Sequence, residues 1–376
     1  MNSFLMRATQ NKDELVADRR AIHRFGGIGF EIEETAAYVR ERLKSLEIPM
    51  QDVCKCGISA TIGTGAPVIL LRADMDALPL VEDSGEPFAA TNNTMHACGH
   101  DMHCTMLLGA ARLLKEREKE LKGTVKLMFQ PAEEILSGAN AMIEGGIMEN
   151  PHVDAAMAIH IGVGPNRPLG RVRYSVGRTS HSADEFCITV QAPKGIRGIN
   201  PLTIATRLIL GLQEIVVMEF PPHELVDVKC GVLSAGITAN TIPEVRVLLK
   251  ERVEFIANGM AQAFHAKAQV EWVRGVPPMV NDPALVKELS GYLEQVVGEE
   301  NMSLIPGGGG GEDFSAISAL VPSMFFELGA GSIEEGYTNP NHNPKFRANE
   351  DVLPIGAALH AHCAFSYLEN HGKEGR

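Results

Sequence analysis

The stretch Met95-His96-Ala97-Cys98-Gly99-His100-Asp101-Met102-His103 gathers one thiol and several imidazoles at the start of a predicted helix. A thiolate beside imidazole nitrogens suits a borderline-soft divalent metal, and a helix N-terminus favours the thiolate form of Cys98. A polar turn capping a helix, its histidines solvated, would use the same residues. Downstream, Gln130-Pro131-Ala132-Glu133-Glu134 closes a predicted strand. Adjacent carboxylates point in different directions, so one can bind a metal while the other handles protons, the division of labour that metal-assisted hydrolysis needs. An acidic first helical turn is the plainer alternative. His160 ends an apolar run, Asp74 and Asp76 follow Leu70-Leu71-Arg72-Ala73, and His342 lies in Asn339-Pro340-Asn341-His342-Asn343-Pro344. Alternation places both aspartates on one side, where they could orient a metal-bound imidazole. A surface turn would explain the aspartates as well, and a satisfied core residue or a cap would explain His160.

Elements must carry these groups together. The spacing predicts helix over 12–46, interrupted at Phe25-Gly26-Gly27-Ile28-Gly29, then strands at 58–62 and 68–73. Helix at 105–119, strand at 124–130, helix at 139–148 and strand at 153–160 continue the alternation. Such alternation predicts an α/β fold, a mixed, mostly parallel sheet with helices on both faces. Sites in these sheets lie outside the carboxyl ends of the strands, which would bring Asp74, Asp76, Glu133, Glu134 and His160 near one another. The middle reads differently: strands at 185–191, 226–233 and 268–272, with helices at 202–217 and 253–264, make a compact α+β block. After Pro277-Pro278 the first pattern resumes, with helices at 284–297 and 353–368 around a strand at 323–328. The chain is therefore read as a discontinuous catalytic domain, 1–181 and 274–376, with an α+β domain inserted at 182–273.

Length and charge narrow the classes. The 376 residues suit two domains, or one with an insertion, and 45% hydrophobic content fits a globular chain. A net charge of −13 argues against nucleic acid and anionic membranes as partners. No apolar run is long enough to span a bilayer and the first residues lack the apolar core of a signal peptide, so a cytoplasmic setting is expected. Seven scattered cysteines do not suggest a disulfide scaffold.

In order and spacing, LLRADMDALP, MHACGHDMH, QPAEE, AIH, ANTIP, GGEDF and NHNP resemble the metallopeptidase family 20 amidohydrolases, the group of hippurate hydrolases, indole-acetyl-amino-acid hydrolases and N-acyl-diaminopimelate deacetylases. With its flanking helices the resemblance covers almost the whole chain. It implies a zinc-peptidase-like catalytic domain with an inserted lid. Two divalent ions per subunit (manganese, zinc, cobalt or nickel) would be held by Cys98, His100, Glu134, His160 and His342, with the thiolate bridging. Glu133 matches the general base and Asp76 the aspartate that orients the ligands, while Asn240 would approach substrate from the lid. The implied reaction is hydrolysis of the amide bond of N-acyl amino acids or related small amides, in a homodimer or larger homo-oligomer.

Three places depart from the family pattern. Gly26-Gly27 replaces a Pro-Glu pair. The loop after Gln191 lacks the family's histidine. Leu248-Leu249-Lys250 runs straight into a helix where two strands and an Arg-containing turn are expected. Two losses in one lid predict that the chain is discontinuous near 191–194 and near 249–252. They also keep two other readings open, a catalytically silent homologue that binds an amidated ligand, and a dipeptidase or aminopeptidase of the same family.

Overall fold

Apolar runs without alternation, such as Val68-Ile69-Leu70-Leu71, belong in strands covered on both faces. In the computed structural model of the chain they form the middle of a sheet. The structure describes residues 2–191, 200–213, 226–230, 235–239, 243–308 and 310–372. Its first unit comprises Met1–Gly177, Val280–Gly307 and Ala316–Arg376; its second comprises Arg178–Met279 and Gly308–Ser315.

The first unit runs α1 (Ser3–Gln10), α2 (Lys12–Phe25), α3 (Glu33–Ser45), β1 (Met50–Cys54), β2 (Gly57–Gly63), β3 (Val68–Asp74), α4 (His100–Glu116), β4 (Thr124–Gln130), α5 (Gly138–Glu144), β5 (Ala155–Gly162) and β6 (Val172–Tyr174). After the second unit come α6 (Pro283–Val297), β7 (Met302–Leu304), β8 (Ser323–Gly329) and α7 (Val352–His371). The sheet has eight strands in the order β1-β2-β4-β3-β5-β8-β6-β7. Its centre is parallel, β4 with β3, β3 with β5 and β5 with β8, as are β6 and β7. The remaining pairs, β1 with β2, β2 with β4 and β8 with β6, are antiparallel. Every residue of β3 and β4 is buried, so helices and loops cover both sheet faces there. The mixed, mostly parallel α/β sheet is thus present.

Two long helices pack closely beneath this sheet. A Cβ built on Gly109 of α4 would stand 2.8 Å from the Ala357 Cβ of α7, so the small residue permits the approach of the two backbones. Residues 100–111 of α4 are buried without interruption, which explains why the helix carries few charges before its last turn.

The second unit has a four-stranded antiparallel sheet in the order Lys267–Val276, Ser182–Gln191, Ala235–Ala239, Val226–Cys230. Helices Pro201–Gln213 and Pro243–Ala263 accompany it, and Ile204, Leu208, Ala257 and Ala261 are buried together in its core. The second helix corrects an expectation. It starts at Pro243 rather than 253 and runs unbroken through 249–252, where patterning places a discontinuity. Leu249, Val253, Ala257 and Ala261 are all buried, one helical turn apart, so a single apolar stripe spans the junction. The other expected break, near 191–194, lies from residue 192 onward outside the described residues.

Candidate metal centre

Three parallel strands bring the polar groups to one level. Asp74 is in register with Gln130, and Arg72 with Ala158, so β3, β4 and β5 release their following residues side by side. Asp76 leaves β3, Glu133 and Glu134 leave β4, and His160 lies at the end of β5. The fourth contribution comes from α4, which begins at His100, five residues before the patterning predicts. Gly99 makes the earlier start possible. It sits at φ +89, and a Cβ there would lie 2.5 Å from the Ile161 side chain. Only glycine combines that turn with that contact. The turn places Cys98 just outside the helix and His100 in its first turn.

The donor atoms converge from elements far apart in sequence. Cys98 Sγ lies 3.3 Å from His160 Nε2 and 3.1 Å from His342 Nε2. Glu134 Oε1 lies 3.6 Å from His342 Nε2 and 3.7 Å from His100 Nε2. Several donor groups result, among them Asp74 with His100 and His103, and His100 with Glu133 and Glu134; two of them, Cys98 with His100 and His160, and Cys98 with Glu134 and His342, share the thiolate. Two ligands roughly 2.1 Å from one tetrahedral ion stand about 3.4 Å apart, so these separations suit donors that share an ion. A second feature points the same way. His100 Nε2 and Glu134 Oε1 are buried without a hydrogen-bond partner among the described residues. Buried polar atoms are rarely left so, and a divalent cation supplies the missing partner. The residues present therefore fit a metal.

Neighbouring groups fix the orientation of these donors. His160 donates from Nδ1 to the carbonyl of Ile161 at 2.7 Å, which turns the Nε2 lone pair towards Cys98. Asp76 accepts the backbone N–H of Glu133 at 3.0 Å and of Glu134 at 3.2 Å, holding the turn that carries both carboxylates. Its Oδ1 also lies 3.5 Å from His100 Nδ1. Asn240 lies outside the described residues.

The comparisons with known proteins come down on one family. Residues 70–366 match the pattern of Peptidase family M20/M25/M40. The chain belongs to that family. It is 35% identical over 387 aligned positions to the IAA-amino acid hydrolase ILR1-like 2 of Arabidopsis thaliana, covering 96% of this chain and 87% of the relative. It is 32% identical to an N-acetylcysteine deacetylase of Bacillus subtilis, covering 94% of this chain and 97% of that one. The crystal structure of the Bacillus subtilis YXEP protein, a dinuclear metal binding peptidase from the M20 family, superimposes with a TM-score of 0.77 at 30% identity, covering 96% and 99% of the two chains. This M20/M25/M40 member is accordingly an amidohydrolase.

In this family member, charge among the clustered side chains is distributed unevenly. Burial would raise the Cys98 thiol, but the imidazoles of His160, His100 and His342 hold it well below the usual thiol range. Burial would lower His160, and the Cys98 thiolate instead lifts it to about 9. Burial and the Cys98 charge together push Glu134 up to about 8. The centre therefore stores protons that a cation would displace.

Residue type alone leaves the histidines of the MHACGHDMH stretch alike, the resemblance singles out His100, and the structure gives His96 and His103 different surroundings. His103 has both nitrogens engaged, Nδ1 with Asp74 Oδ1 at 2.6 Å and Nε2 accepting the Ile161 N–H at 2.8 Å. Burial presses it down to about 4, so it stays neutral. His96 belongs to none of the donor groups, and its ring lies 6.0 Å from that of His23. His23 in turn bonds Asp101 at 2.8 Å and Glu82 at 3.0 Å. What distinguishes His100 from these neighbours in the structure is its nearness to both Cys98 and Glu134.

Proposed function

We propose that this amidohydrolase cleaves the amide bond of N-acyl amino acids, with two divalent ions held by Cys98, His100, Glu134, His160 and His342. The observation that carries the reading is the pair of donor groups sharing Cys98, with His100 and Glu134 atoms left unpartnered. The substrate class is supported by relatives named for IAA-amino acids and for N-acetylcysteine.

When bound, such ions lower the pKa of a water and polarise an amide carbonyl. The chain supplies the proton transfers. Glu133 is 7% exposed, and its Oε2 lies 3.9 Å from His100 Nε2, beside the Glu134 carboxylate and outside the two groups that share Cys98. It takes the proton from the attacking water and returns it to the nitrogen of the departing amine. Asp76 keeps the Glu133–Glu134 turn fixed while this happens. Manganese, zinc, cobalt and nickel are the candidate metals, because a thiolate donor disfavours magnesium.

A homodimer or larger homo-oligomer belongs to the same reading. So does a cytoplasmic setting, which suits the six unpaired cysteines among the described residues. No helix among the described residues is long and apolar enough to cross a membrane. The test is a panel of N-acyl amino acids, including hippurate and N-acetylcysteine, assayed after loading with each metal. Turnover of several members with release of the free amino acid is the expected result. No hydrolysis of any member with any metal would overturn the reading.

A further inference from the structure

The loop carrying His342 must be held against two other elements, and one side chain spans the gap. Asn341 Nδ2 donates to the carbonyl of Cys98 at 3.0 Å and to that of Ile161 at 3.3 Å. The adjacent backbone closes the same seam, His342 N donating to Ala97 O at 2.8 Å. Ile161 O is also the acceptor that fixes the His160 ring. One carboxamide thus touches the peptide of Cys98 and the carbonyl that orients His160, and it is covalently next to His342. These donors come from the turn before α4, from the end of β5 and from the loop before α7.

The His342 backbone sits at φ +66, a conformation that side-chain-bearing residues hold only when their surroundings impose it. Its side chain is 56% exposed, so packing does little to fix the ring and the backbone must. The two carbonyls facing Asn341 need donors, and an amide offers two N–H groups where a carboxylate of the same size offers none.

We propose that Asn341 is a positioning residue of the metal centre, coupling the backbones of Cys98, His160 and His342 so that their donor atoms face one volume before an ion arrives. The proposal rests on the ligand assignment made above. Partners that orient metal ligands typically cost 10–100-fold in metal affinity when removed, and Asn341 acts on three ligands at once.

Cobalt(II) is the probe, because a cobalt-bound thiolate absorbs in the near ultraviolet and the visible bands report coordination geometry. Parent, Asn341→Ala, Asn341→Asp and Asn343→Ala are titrated against a competing chelator, and each metal-free form is unfolded in urea. Asn343 lies in the same loop, where its side chain accepts the Lys345 N–H at 2.8 Å, and it makes no such link between ligands. The expected result is cobalt binding weakened roughly 10–100-fold in both Asn341 variants, with a diminished thiolate band. Asn343→Ala should match the parent. Should Asn341→Ala fail to fold, Asn341→Asp, of equal size, carries the test. Parental affinity and bands in the Asn341 variants would overturn the proposal, and so would an equal loss in Asn343→Ala, which would assign the effect to the loop as a whole. A parent without a thiolate band would instead overturn the ligand assignment beneath it.

Discussion

His103 Nδ1 lies 2.6 Å from Asp74 Oδ1, and that contact makes a strut of a histidine standing three residues from His100. Asp74 also bonds Arg72 at 2.6 Å, and these partners outweigh burial, leaving the carboxylate charged, well below its usual range. The ring passes the constraint on by accepting the Ile161 N–H. His103→Phe should therefore keep the full ion count while costing about 1–3 kcal/mol, the usual penalty for stranding a buried donor. Metal analysis and urea unfolding on one preparation check this. Loss of an ion from the variant would make His103 a ligand.

The shared thiolate makes a distinct prediction. Cys98 belongs to two donor groups, whereas His160 and His342 belong to one each. Cys98→Ala should lose both ions on passage through a chelating buffer, while His342→Ala should retain one. Equal retention in the two variants would mean that the thiolate does not bridge.

Acid should destabilise the fold through histidines buried without charge. Burial presses His96 and His360 down to about 3 each. In the unfolded chain both titrate near pH 6.5, so below that pH the unfolded state binds protons that the folded state refuses, and stability falls as pH falls. Each contributes about 1.4 kcal/mol per pH unit until the folded value is approached. His360 lies in α7 and belongs to none of the donor groups, so His360→Leu isolates one share. Urea unfolding from about pH 6 to about pH 4 should show a slope shallower by about 1.4 kcal/mol per unit. An unchanged slope would show that His360 takes up its proton in the folded state.

Much of the candidate site is legible in the sequence. Cys98 and His100 stand close together at a helix start, and Glu133 and Glu134 follow a strand whose parallel neighbours end at the same level. The roles of His103 and Asn341 are not legible there, because they depend on which peptide faces them across the sheet edge, here that of Ile161. Local composition says nothing about such a pairing. The start of α4 escapes patterning for a related reason. Patterning looks for an apolar period, and the first turn of α4 is buried with polar side chains, Asp101 bonding Arg19 and His23 of α2 and His103 bonding Asp74 at the end of β3. In the second unit, the stripe Leu249, Val253, Ala257 and Ala261 is half alanine, a weak apolar signal that hides the first turns of its helix.

The proposed division of labour, Glu133 moving the proton and Glu134 holding metal, can be separated by one paired measurement. Metal content and turnover of an N-acyl amino acid are determined on the same preparations of parent, Glu133→Gln and Glu134→Gln. Glu133→Gln should keep the parental ion count and lose roughly 10²–10⁴-fold in turnover, while Glu134→Gln should lose metal and activity together. Parental turnover in Glu133→Gln, or an undiminished ion count in Glu134→Gln, would contradict it.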